Sequence, residues 1–198
     1  MSANSKKGKN HRYSASNITP DLVAIGSHTK DGDYDNYPSE QILEASATEI
    51  VAQLHSGDLQ PKDYAQQLIS HIQANEKRLN ALITFEPKRV LASIKTLRQY
   101  QKNRECLNGL PVVILDAIDV VDYPTTGATP FLRKSYPKQN APVIQRLVSA
   151  GAVILGKANL HELMWSVTSD SAYFGPVHNP WNTTLLAGGS SGGSAAAV

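Results

Sequence analysis

Ser190 and Ser191 are the residues of this sequence best placed to do chemistry. They stand as adjacent hydroxyls in Gly188-Gly189-Ser190-Ser191-Gly192-Gly193-Ser194, and a helix-forming run, Ala195-Ala196-Ala197-Val198, follows. Glycine lets the backbone take positive φ and lets another group come close. Such a loop can present hydroxyls and N–H groups to a ligand. A flexible Gly/Ser linker would share the composition, but Trp181 precedes this loop and alanines follow it. A phosphate loop would need lysine after its second glycine, and Gly193 is followed by Ser194. A nucleophile elbow, G-x-S-x-G, is matched literally by Gly189-Ser190-Ser191-Gly192-Gly193, with Ser191 as the nucleophile. That arrangement brings its acid and histidine after the serine, and the seven residues after Ser191 hold neither. His161-Glu162 begins a zinc-hydrolase pattern, H-E-x-x-H, but its last position is Trp165, so no metal is expected there. Loop ordering is the expected role of Glu162. Trp165, Tyr173 and Trp181 are candidates either to line an aromatic pocket or to anchor loops.

The elements that must position these groups can be read from periodicity. Ser46-Ala47-Thr48-Glu49 is a capping box, which starts a helix carrying Ile50, Val51 and Leu54 and stopping at Gly57. A second helix is expected from Pro61, with Tyr64, Leu68 and Ile72 along one side. Asn75 to Asn80 reads as a turn. A third helix is expected over 87–102, with Val90, Leu91, Ile94 and Leu97 inward. His55 and His71 fall on these helices without a second ligand-type neighbour, which makes them surface or packing residues. Pro111-Val112-Val113-Ile114-Leu115 is a continuous apolar run, as in a buried strand. A loop over 116–127 follows, then a helix over 141–150 with Val143, Ile144, Leu147 and Val148 as its buried stripe. Gly151 ends that helix, and Ala152-Val153-Ile154-Leu155 is a second buried strand. Strand, loop, helix, strand predicts a crossover unit in an α/β sheet. The stretch 156–182 is loop-rich, with a short helix at 159–165. Loops at strand ends are where such sheets carry their chemistry.

Composition narrows the rest. The chain has 198 residues, 41% hydrophobic and 18% charged, with a formal charge of +2. That balance excludes a protein dominated by phosphate-backbone binding. Lys6, Lys7, Lys9 and Arg12 hold more than the whole surplus. Residues 1–38 are polar, lack a sustained period and read as a disordered tail. No apolar core of a signal peptide follows the basic start. The longest apolar stretches, Leu110–Leu115 and Ala150–Gly156, are far shorter than a membrane span. Cys106 is the only cysteine, so an internal disulfide and a cysteine-based zinc site are excluded. A reducing, cytoplasmic setting is the expectation.

Several motifs occur together in one order. Gly109-Leu110-Pro111-Val112-Val113-Ile114 is followed by Pro124-Thr125-Thr126. Then come Ala150-Gly151-Ala152-Val153-Ile154-Leu155-Gly156-Lys157-Ala158-Asn159-Leu160-His161-Glu162-Leu163 and Phe174-Gly175-Pro176-Val177-His178-Asn179-Pro180-Trp181, and last the Gly/Ser loop. In this order they resemble the amidase signature family, over roughly 45–198. Ala128-Thr129-Pro130 and Leu160-His161-Glu162-Leu163 look most like its indoleacetamide and mandelamide hydrolase branch. The resemblance implies an α/β fold: N-terminal helices, then the start of a mixed sheet flanked by helices, with 39–198 as the N-terminal part of the domain. It also implies hydrolysis of carbon–nitrogen bonds by a Ser–Ser–Lys triad without metal or organic cofactor. One serine attacks the carbonyl, a second on a cis peptide relays the proton, and a neutral lysine accepts it. Burial brings such a lysine toward neutrality.

Carried over by position, the relay serine is Ser190, Ser191 is its supporting neighbour, and Gly188, Gly189, Gly192 and Gly193 form the signature loop. The family strand ends in Lys-Asp, whereas this one reads Leu115-Asp116, so the base position holds leucine. Lys157 matches a different family lysine that coexists with the catalytic one. The family nucleophile and its oxyanion N–H groups lie past the signature, beyond Val198. Such groups supply several kcal/mol of transition-state stabilisation each, so the 198-residue chain is expected to be inactive and truncated relative to the family. A small-molecule amide is the substrate implied for intact relatives, with neither nucleic acid nor membrane as partner. The alternatives are a non-catalytic amide- or protein-binding relative and a fragment like one subunit of an amidotransferase. The isolated chain is expected to be poorly soluble.

Overall fold

The computed structural model describes residues 42–100 and 106–198; the tail expected over 1–38 lies outside the described residues. Helix α1, Ala47–Ser56, begins where the capping box places it. The Ser46 Oγ accepts from the Glu49 N–H at 3.4 Å, and the Glu49 carboxylate accepts from the Ser46 N–H at 2.8 Å. Hydrogen bonds from Ser46 hold the Glu49 carboxyl below its usual range. Gly57, at φ 87°, closes the helix in the left-handed region that L side chains avoid. Ile50 and Leu54 are buried, and Val51 is only half-buried. Full burial of a side chain of this kind contributes about 1.5–3 kcal/mol.

Helix α2, Pro61–Leu79, starts at the expected proline but runs on through the residues read as a turn. Only Asn80, at φ 53°, ends it, and its N–H reaches the Glu76 carbonyl at 2.8 Å. The polar run 75–80 is the helix's exposed end rather than a connection. Strand β1, Leu82–Phe85, follows at once. Four residues without clear alternation give it no signal in the sequence. Helix α3, Pro87–Tyr100, buries Val90 and Ile94, with Leu91 and Leu97 packed at the margin.

Strand β2, Pro111–Leu115, helix α4, Pro142–Ser149, and strand β3, Val153–Ala158, form the expected crossover. The sheet order is β1-β3-β2, with β1 antiparallel and β2 parallel to β3, so the sheet is mixed. Central β3 is buried at every residue and outruns its apolar run, because Gly156, Lys157 and Ala158 continue it. Strand β2 is less buried than its composition suggests: only Ile114 is fully enclosed, since β2 lies at one edge. The expected stripe of α4 is also narrower. Ile144 is buried, but Val143 and Val148 are 50% and 38% exposed, because an eight-residue helix presents a single ridge to the sheet.

The sheet separates two clusters. Val153 and Leu155 face α2 and α3, with Val113 beside them. Ile154 and Ile114 face α4, with Val120 and Tyr123. After β3 the chain makes a 3-10 turn, Glu162–Met164, shorter than the helix expected there and holding Leu163 at φ 51°. Two small antiparallel pairs follow: β4, Asp170–Ser171, with β5, Gly175–Pro176; and β6, His178–Asn179, with β7, Asn182–Leu186. Helix α5, Gly192–Ala196, closes the described chain and starts inside the Gly/Ser loop.

Candidate functional site

Two constructions meet at the ends of β2 and β3. The first is a buried ion pair. Lys157 on β3 and Asp116 just past β2 have no exposed side-chain surface, and Lys157 Nζ lies 3.0 Å from Asp116 Oδ1. Nζ also donates to the Pro124 carbonyl at 2.9 Å and to Thr125 Oγ1 at 3.3 Å. The ammonium thus makes two hydrogen bonds beside the ion pair. Asp116 Oδ2 accepts from the Thr126 N–H at 3.0 Å and from the Thr126 hydroxyl, while the Asp116 carbonyl accepts from the Gly127 N–H at 2.9 Å. The pair therefore shapes the loop 124–127. Burial pulls the Lys157 ammonium below its usual range, and the Asp116 carboxylate pulls it back up.

The second construction is the Gly/Ser loop. The Gly189–Ser190 peptide is cis, as expected for Ser190. The Ser190 carbonyl accepts from the His161 N–H at 2.9 Å and from the Ser169 hydroxyl at 3.0 Å. Ser169 Oγ in turn accepts from the Gly192 N–H at 2.6 Å. The Gly193 N–H donates to the Asn159 carbonyl at 3.0 Å, and the Asn159 N–H to the Ala81 carbonyl at 2.8 Å. Three glycines of this loop are dictated by close approach, Gly192 by the Ser169 side chain and two by backbone carbonyls. A methyl group at Gly193 would collide with the Asn159 and Ala81 carbonyls, and one at Gly189 with the Thr168 carbonyl. Ser190 is half-buried and Ser191 is exposed.

Leu115 and Lys157 lie on opposite faces of the sheet. Lys157 pairs in register with Ile114, which faces α4, and Leu115 pairs with Ala158. Alternation returns Leu115 to the face of Val113, which carries α2 and α3. Helix α5 packs through Ala196 on Ala81 and Val177, beside the end of α2. The structure thus places Leu115 and Lys157 on opposite faces of the sheet and ties the Gly/Ser loop to Asn159, just past β3.

His161 Nδ1 lies 2.9 Å from Thr168 Oγ1, while Trp165, the last position of the zinc-type pattern, is 89% exposed. Among the described residues, no group of three His, Cys, Asp or Glu side chains could hold a metal ion. Nor is any described helix long and apolar enough to cross a membrane. Trp165, Tyr173 and Trp181 are all exposed, so in this chain they wall no enclosed pocket. Ser169, fully buried and bonded at both ends of the Ser190–Gly192 segment, is missed by sequence reasoning. A lone serine in a polar loop carries no periodic signal.

A family model described as Amidase matches residues 63–198. The chain is 38% identical over 153 residues to a subunit of the glutamyl-tRNA(Gln) amidotransferase of Lawsonia intracellularis, covering 75% of the chain and 32% of that protein. Among solved structures, the peptide amidase from Stenotrophomonas maltophilia superposes with a TM-score of 0.72 at 30% identity, over 78% of this chain and 34% of its own. A bacterial aryl acylamidase superposes with a TM-score of 0.72 at 26% identity, over 77% of this chain and 32% of its own. The chain thus spans about one third of the relatives it matches.

Proposed function

The chain belongs to the amidase family, and we propose that it is the N-terminal part of an amide-hydrolase fold whose proton-accepting position is vacant in these 198 residues. In this reading Ser190 is the relay serine, Ser191 supports it, and Leu115 occupies the base position. A Leu115 side chain has no lone pair, so it cannot take the proton a serine must lose on attacking an amide carbonyl. The observation that carries the reading is the placement of the buried lysine near this end. Lys157 faces away from Leu115 and is held by its ion pair with Asp116 and by hydrogen bonds to Pro124 and Thr125. It is built to hold the loop 124–127.

The test is hydrolysis of an aryl acetamide by the purified chain, beside Ser190→Ala. The expected result is no turnover above buffer for either protein. Turnover by the chain that Ser190→Ala abolishes would sink the proposal. The motifs at 128–130 and 160–163 favour the indoleacetamide and mandelamide hydrolase branch as the source of this fold. A second reading, a non-catalytic component of a larger assembly, draws on the identity to the glutamyl-tRNA(Gln) amidotransferase protein. Stoichiometric co-purification with other subunits from the native source would favour it. A cytoplasmic setting fits both readings.

A further inference from the structure

Between Asp122 and Glu162 the sequence holds no Asp or Glu, while the loop between β2 and α4 carries Arg133, Lys134 and Lys138. All three are exposed, and among the described residues none of them makes an ion pair. The same loop carries Phe131, Tyr136 and Leu132, which are 91%, 61% and 42% exposed. Hydrogen bonds hold it in one shape. The Leu132 N–H donates to the Thr129 carbonyl at 3.3 Å, and the Ser135 N–H to the Leu132 carbonyl at 2.8 Å. The Thr125 N–H donates to the Ser135 carbonyl at 2.9 Å, which closes the base of the loop. Asn140 Oδ1 accepts from the Val121 N–H at 2.7 Å, and the Ala141 N–H donates to the Asp119 carbonyl at 3.0 Å, which pins its far end. The Arg133 guanidinium donates to the Pro130 carbonyl at 2.8 Å, so its charge stays beside the 3-10 turn, Pro130–Leu132, that carries Phe131.

We propose that this loop is a docking tip for an anionic lipid surface. Phe131, with Leu132 behind it, enters the boundary between headgroups and acyl chains, and Arg133, Lys134 and Lys138 meet the lipid phosphates. Three observations select this partner. The tip protrudes, since almost nothing walls the Phe131 side chain. A rigid partner would need a matching cavity to receive it, whereas a fluid bilayer needs none. Apolar side chains rimmed by cations are the pairing that interfacial anchors use, and cations near an anionic leaflet are attracted over about one screening length. Finally, the loop is already ordered, so docking costs little of the entropy that a flexible segment would lose. Nucleic acid fits less well, because the whole chain carries only +2 and Leu132 offers no face for a base to stack on. The resemblance implies no membrane partner for intact relatives; the tip is built from this chain's own residues and does not depend on the amidase reading. Contact of this kind needs no membrane-spanning helix.

The test is flotation of the complete chain with phosphatidylcholine vesicles, either alone or mixed in equal parts with phosphatidylserine; self-associated protein does not float. Binding to the anionic vesicles is expected to exceed binding to the neutral ones several-fold at about 0.1 M salt. It should fall several-fold at about 1 M, where the screening length drops from about 10 Å to about 3 Å. Phe131→Ser should lower binding several-fold, and so should Arg133→Gln combined with Lys134→Gln. Both variants should keep the wild-type unfolding midpoint, because the side chains replaced are exposed. Trp165→Ser, on another exposed loop, should bind as the wild type does. Replacing Lys6, Lys7, Lys9 and Arg12 by Gln should leave most of the binding in place. Equal flotation with both kinds of vesicle, or none with either, would overturn the proposal. Binding that survives the loop variants and disappears with the Lys6–Arg12 variant would give the attraction to the basic start of the chain, which also overturns it. Binding of single-stranded RNA that the loop variants abolish, without flotation, would make the loop a nucleic-acid contact and overturn it too. None of these readouts involves Ser190, so the result is independent of whether the chain hydrolyses amides.

Discussion

Lys157 and Asp116 are a buried charge pair whose value lies in what it positions. Two ions withdrawn from water lose several kcal/mol of hydration each, and their attraction repays this only when every donor and acceptor is used. Here the ammonium makes two hydrogen bonds beside the ion pair, and the carboxylate accepts from Thr126 through Oδ2. Lys157→Met should therefore cost about 3–5 kcal/mol, because it leaves Asp116 buried and uncompensated. The double variant with Asp116→Asn should be more stable than Lys157→Met alone. Urea midpoints measure both, and a double variant less stable than the single one contradicts this account. A second residue makes a pH prediction. Burial pushes the Tyr123 hydroxyl up to about 12, against the pull of the Arg89 guanidinium 4.9 Å from its ring. The folded chain thus holds this proton more tightly than the unfolded chain, whose tyrosines titrate near 10. Its stabilisation is complete below pH 10 and is lost as pH rises through about 12, by roughly 2–3 kcal/mol. Tyr123→Phe should flatten that alkaline fall in melting temperature. Tyr64, also raised by burial, contributes a fall of the same sign.

At the scale of elements, short local signals and long-range pairing behave differently. The capping box of α1 is local, involving only Ser46 and Glu49. Ser46→Ala should cost about 1 kcal/mol, read from thermal unfolding. Strand β1 is the opposite case. Its four residues are a strand because β3 lies alongside, with Leu82 opposite Ala158 and Phe85 opposite Gly156. The start of α5 depends on distant groups too, since the Gly193 amide ends on Asn159, whose own amide ends on Ala81. Gly193→Ala should break both links by collision with those carbonyls. Hydrogen exchange should then speed up at the Gly193 and Asn159 amides while α1 keeps its protection. Retained protection at both would show that the loop yields without opening.

At the scale of the whole described unit, the core lies on both sides of one three-stranded sheet, and the loops at its strand ends are apolar and bare. A core buried on both faces, together with exposed Phe131, Trp165 and Val167, predicts a chain that folds and yet associates. Light scattering of the purified chain should rise with concentration well below its unfolding temperature. A monomer with a single sharp, concentration-independent transition would contradict that expectation.

The sequence by itself determined what depends on near neighbours. The capping box, the proline starts of α2 and α3, the crossover from β2 to β3 and the order of the Gly/Ser and strand-end motifs were all legible, since each needs only residues a few positions apart. So was the leucine at position 115, by position alone. Tertiary structure decided what depends on partners far along the chain. It made β1 a strand, left β2 at an edge, extended β3 through Lys157, and reduced the buried stripe of α4 to Ile144. It also joined Ser169 and His161 to Ser190 and turned Lys157 away from Leu115. Spacing fixes which face of an element a residue occupies; only packing determines what that face meets.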